Sequence, residues 1–133
     1  MGGRGAFIKS GMTGIAQEYR EYSVVDYIGC FKVIQWDMGD NNHTPVYSNT
    51  PNTVYYSYSK ERGQIERILF YKDHHLTCSI DMEKHGNPAH VHKWDISGTQ
   101  VGRVAHSRKN TFGLSTTDMK YYNEAKKWNE EHR

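Results

Sequence analysis

No stretch of this sequence stays apolar over the ~20 residues that a membrane-spanning helix needs. The longest apolar runs are Tyr27–Ile34 and Ile68–Tyr71. The opening, Met1-Gly2-Gly3-Arg4-Gly5-Ala6, has neither the apolar core nor the cleavage pattern of a secretory signal. Both absences predict a cytoplasmic protein. Cysteine is scarce: Cys30 and Cys78 are the two in the chain, each in a strand-like apolar run. They are expected to be small buried hydrophobes, and nothing demands a disulfide. Neither has a Cys-x-x-Cys neighbour, which excludes a zinc knuckle. A strong charge of one sign is also missing. The net charge is +2 with histidines neutral, mild for a protein that grips nucleic acid nonspecifically, although the eight histidines add positive charge at lower pH. No internal repeat is present.

What remains is the composition of one globular domain. The chain has 133 residues, 36% hydrophobic and 13% aromatic, enough to bury a core without staples. Residues 1–14 hold five glycines and read as a flexible arm, with a single domain over 15–133. Ile15–Tyr22 has the length of two helical turns, with Thr13 as a cap. Val24–Trp36 is a nearly continuous β-forming run, one buried strand or a bent pair. Asp37–Asn52 is a loop by composition. Three strands follow, Val54–Ser59, Gln64–Lys72 and Leu76–Met82, separated by turns at Lys60–Gly63 and Asp73–His75. In the third, alternation puts Leu76, Cys78, Ile80 and Met82 on one face and Thr77, Ser79 and Asp81 on the other. His90–Asp95 reads as extended and Ile96–His106 as an edge strand. Ser115–Asp118 caps a helix over Met119–His132, whose buried face is marked by Met119, Tyr122, Ala125 and Trp128. The expected fold is α+β: a twisted antiparallel meander of four to six strands with the C-terminal helix packed on one face.

Titratable groups concentrate between Asp81 and Trp94. His90 and His92 are spaced i, i+2, so on a strand they project from one face with Cα atoms ~6.5–7 Å apart. Asp81 and His85 flank them across a turn containing Gly86-Asn87-Pro88. Three readings compete. In metal-independent phosphodiester cleavage, His85 and His90 or His92 divide the base and acid roles, as histidine's pKa allows. Arg67, Lys84, Lys93 and Arg103 then hold the phosphate, with Tyr71 beside them on the substrate. In a metal site, His90 and His92 ligate zinc or another divalent cation, and His85 or Asp81 completes the set. In the third, the histidines are loop residues and His92 or Trp94 packs on the sheet. His74 and His75 read as turn residues. The tyrosines of Tyr55-Tyr56-Ser57-Tyr58 offer faces for base stacking, but tyrosine is also an ordinary strand former.

The order of these elements resembles a small His-rich domain of prophage proteins and bacterial polymorphic-toxin C-termini. The matching segments are Pro51-Asn52-Thr53-Val54-Tyr55, Arg67-Ile68-Leu69-Phe70-Tyr71, Ile80-Asp81, His85-Gly86-Asn87-Pro88 and His90-Val91-His92-Lys93-Trp94. Asp73-His74-His75 stands where an Asp-Gly turn is usual, and one alanine separates Pro88 from His90. The resemblance implies a toxin-like ribonuclease of the broad barnase, colicin and RelE-like group, with Asp81, His85, His90 and His92 as its polar positions. It places the protein in the cytoplasm of an infected or lysogenic bacterium, with RNA as substrate. The alternative it leaves open is a non-enzymatic phage protein that binds and inhibits a host protein such as a defence nuclease. A metal-binding structural module is the third reading.

Overall fold

The computed structural model describes residues 8–9, 21–39, 43–95, 98, 100–103 and 114–133. The fold is α+β, as expected. Among these residues lie nine strands and one helix: β1 (Ile8–Lys9), β2 (Tyr22–Ile28), β3 (Phe31–Trp36), β4 (Tyr47–Ser48), β5 (Thr53–Ser59), β6 (Gln64–Lys72), β7 (His75–Asp81), β8 (His90–Trp94), β9 (Gln100–Arg103) and α1 (Thr116–Glu131). Most of the expected helix at Ile15–Tyr22 lies outside the described residues, and its last member, Tyr22, opens β2.

Turn chemistry sets the strand ends. Val24–Trp36 is the bent pair: it reverses at Gly29, where φ is 62° and a side chain would be strained. At the β6–β7 turn, Asp73 and His74 both take positive φ, 52° and 73°. Asp and His tolerate that region better than most residues, so the pair does the work of the usual Asp-Gly. β5, β6 and β7 form the expected antiparallel meander. β3 pairs parallel with β5, so the sheet is mixed and, counting two short strands, larger than the sequence suggests. A parallel pair needs a long connection, and residues 37–52 supply it. That connection returns β4 to the far side of the sheet, in the order β1-β4-β7-β6-β5-β3-β2, with β8 also on β7 and β9 on β8.

Each sheet face has its own core. On one, Val33, Val54, Tyr56, Ile65, Ile68, Ile80, Met82 and Val91 pack with Ala125 and Trp128 of α1. Ser115 and Asp118 form a reciprocal capping box at the helix start. Asn129 pins the helix to β6, accepting from Ile65 N at 2.7 Å and donating to Ile65 O at 3.0 Å. Met119, expected on the buried stripe, is 37% exposed; Tyr121 joins Tyr122 against the core instead. On the other face Tyr22, Ile34, Tyr55, Leu69, Tyr71 and Leu76 cluster, flanked by Trp36, Val46 and Trp94. Leu76 is a correction to the alternation read from sequence. The β6–β7 register slips between Cys78 and Leu76, leaving Thr77 as an extra residue. Such a bulge turns everything beyond it to the opposite face. Burial of Tyr55 and Tyr56 makes them core residues rather than stacking platforms.

Candidate functional site

The outer edge of β7 is shared. Its first residue, His75, pairs with Tyr47 of β4, and Cys78 through Asp81 pair with β8. The β7–β8 connection reverses tightly at Lys84–Asn87, which exchange backbone hydrogen bonds of 2.9 and 3.2 Å. His85 and Gly86 occupy its centre with φ of 52° and 83°, the primed geometry that suits a hairpin. One rung of the ladder then carries Arg67, Asp81 and His90 side by side, and the second rung beyond it carries Leu69, Ser79 and His92. Val91 belongs to the helix-side core, so alternation puts His90 and His92 together on the opposite face.

Three side-chain atoms converge there. His92 Nε2 lies 3.1 Å and His90 Nε2 3.5 Å from Asp81 Oδ2, and the two Nε2 atoms are 2.9 Å apart. Asp81 and His90 each have a fixed support. Arg67 Nε donates to Asp81 Oδ1 at 2.7 Å, and its Nη1 donates to Thr44 Oγ1. His90 Nδ1 sits 3.0 Å from the Pro88 carbonyl. A carbonyl only accepts, so Nδ1 carries the proton and the lone pair of neutral His90 points from Nε2 into the cluster. Trp94 Nε1 donates to Ser79 Oγ, on the strand opposite His92, at 3.0 Å. Both histidines are buried, but the cluster is not sealed: it forms the wall of a cleft of about 300 Å³ that Glu66, Lys84 and Asn87 also line.

Of the residues singled out in the sequence, Asp81, His90, His92, Arg67 and Lys84 meet in this cleft. His85 does not. It is exposed at the turn tip and lines a separate hollow with Glu83 and Pro88; its place is explained by the left-handed backbone. Lys93 is exposed, and its register partner is Cys78. As the neighbour of His92 on an alternating strand, it faces away from the cluster. Tyr71 is buried in the second core and donates to the Pro45 carbonyl at 2.5 Å. Burial pushes its hydroxyl pKa well up, so it is a strut and no acid. Arg103 pairs through its backbone with His92, and its side chain lies outside the described residues. His74 and His75 are turn and strand-start residues against Tyr47, with His74 stacked at 5.5 Å. Both cysteines are unpaired, and Cys30 is exposed rather than buried because it occupies the β2–β3 turn.

Comparison with protein-family models, with curated proteins and with solved structures finds no match. No helix among the described residues is long and apolar enough to cross a membrane.

Proposed function

We propose that the cleft cleaves phosphodiesters, with RNA as the substrate class, and that Asp81, His90 and His92 act as one unit on the attacking oxygen. The supporting observation is the convergence of the three side chains within 3.5 Å of one another, next to two cations, Arg67 and Lys84. This revises the division of labour expected from sequence. An in-line displacement places its base and its acid on opposite sides of the phosphorus. Two imidazole nitrogens 2.9 Å apart cannot straddle a phosphate, so they serve the same side.

In this reading His90 Nε2 takes the proton of the ribose 2′-hydroxyl. The 2′ oxygen bonds to phosphorus, the P–O5′ bond breaks, and the 5′ oxygen takes a proton from water, whose hydroxide is neutralised by the proton His90 had taken. The products are a 2′,3′-cyclic phosphate and a 5′-hydroxyl. The Asp81 carboxylate stabilises the imidazolium that forms, and Arg67 and Lys84 favour the phosphate's charge. The experiment is cleavage of end-labelled single-stranded, duplex and transfer RNA. Wild type is expected to leave cyclic-phosphate ends, and Asp81→Asn to be slower by about 100-fold with a similar melting temperature. A folded wild type that cuts none of the three would sink the ribonuclease reading.

A further inference from the structure

The cluster turns two imidazole nitrogens and one carboxylate oxygen toward a common point. The Nδ1 proton of neutral His90 is turned to Pro88 O, so its Nε2 has none. An ionised Asp81 has none. Three potential ligand atoms lie 2.9, 3.1 and 3.5 Å from one another, and Arg67 Nη2 reaches one of them, Asp81 Oδ2, at 3.4 Å. Such a convergence of acceptors is relieved by a positive charge at its centre. The spacing also matches one ion: ligand bonds of about 2.0–2.1 Å at a tetrahedral centre put the ligand atoms about 3.3 Å apart. The donors are two imidazole nitrogens and one carboxylate oxygen, all within 4.8 Å of one another. Imidazole favours first-row transition ions, and magnesium and calcium prefer oxygen alone. The supports are those of a metal centre as well. A backbone carbonyl fixes the tautomer of one histidine, and Arg67 grips the carboxylate chiefly at Oδ1, 2.7 Å away, with a longer 3.4 Å contact to Oδ2, the oxygen turned to the histidines.

We propose that Asp81 Oδ2, His90 Nε2 and His92 Nε2 bind one divalent first-row transition cation of the zinc class, with its remaining positions open to the cleft. The proposal rests on the reading that this cleft is the working site; it does not depend on RNA being the substrate. With a cation held there, the lone pair that His90 offers to a proton is engaged by the metal.

The test uses untagged full-length protein stripped with EDTA and titrated calorimetrically with Zn²⁺, with Co²⁺ absorption as a reporter of nitrogen ligation. The expected result is one site per chain, unaffected by excess Mg²⁺. His90→Gln and Asp81→Asn, near in shape to the natural residues, are expected to weaken it at least about 100-fold, and Arg67→Met about 10-fold. His74→Ala/His75→Ala should bind as wild type does. The proposal is overturned if no saturable single site appears. It is also overturned if both cluster variants bind undiminished, or if the affinity disappears with His74 and His75. Zinc binding without RNA cleavage upholds the metal and removes the ribonuclease. RNA cleavage by protein that binds no zinc does the reverse.

Discussion

The two ends of β7 each carry a pair of histidines, and the structure puts them to different uses. At the first end His74 and His75 are adjacent in sequence, one in a turn and one opening the strand. Their neighbours are the Tyr47 ring and the Ser48 carbonyl, 2.8 Å from His74 Nδ1. At the other end His90 and His92 are two apart on β8, buried, and 3.5 and 3.1 Å from one carboxylate oxygen. Adjacent residues leave a strand on opposite faces, while residues two apart share one. The number of histidines is equal at the two ends. Their spacing, and a carboxylate on the opposing rung, separate a packed turn from a cleft lined by converging titratable groups. The shared edge of β7 makes the contrast possible, because β4 closes one end and β8 the other.

The strongest way to break this contrast is to release Asp81. Arg67→Met removes the guanidinium at Asp81 Oδ1 and lets the carboxylate turn away from the histidines. Cleavage of RNA should fall about 100-fold. The pair is partly exposed, so the stability loss should be only about 1 kcal/mol, readable by urea melts. If cleavage survives the change, Asp81 needs no clamp. A milder disturbance is Ser79→Ala, which leaves the Trp94 indole N–H without its 3.0 Å acceptor. About 1 kcal/mol should be lost, with cleavage down several-fold as β8 loosens behind His92. An unchanged melting curve would contradict that role.

The smallest effect concerns a third histidine. His132 lies 3.5 Å from Asp26, a His–carboxylate pair with no second imidazole among the described residues. The Asp26 carboxyl is held below its usual range, chiefly by the Trp128 N–H at 2.7 Å and then by the Tyr27 backbone N–H. A carboxylate with a lowered folded pKa adds stability above its unfolded pKa, and that stability is lost as pH falls through the folded value. Wild type should therefore lose slightly more stability than Asp26→Asn as pH drops below about 4. Cleavage near neutral pH should be the same in both proteins. Parallel acid-melting curves for the two would refute the contribution.

Local pattern carries much of this architecture. The β6 boundaries and the capped helix follow from alternation, turn residues and an N-cap serine. The His-x-His pair could be placed on one face by counting, and the same count turns Lys93 away from it. What counting could not supply is register. That Arg67 stands beside Asp81, and Asp81 beside His90, depends on how three strands slide against one another. The bulge at Thr77 shifts that register in a way no alternation shows, and it carried Leu76 to the unexpected face. His85 looked chemical because it is a histidine near a carboxylate, but its φ of 52° explains it as a turn residue. Thr44 and the Pro88 carbonyl, which brace the cluster, have no signature in the sequence. One arrives on a long connection, and the other is backbone.

The most direct test compares the two histidine pairs within one experiment. Rates of RNA cleavage are measured for wild type, His90→Ala/His92→Ala and His74→Ala/His75→Ala, with circular dichroism confirming that each is folded. The account predicts loss of at least about 100-fold for the first variant and a change within about twofold for the second. Equal losses in both, or full activity in the folded His90→Ala/His92→Ala protein, would contradict it.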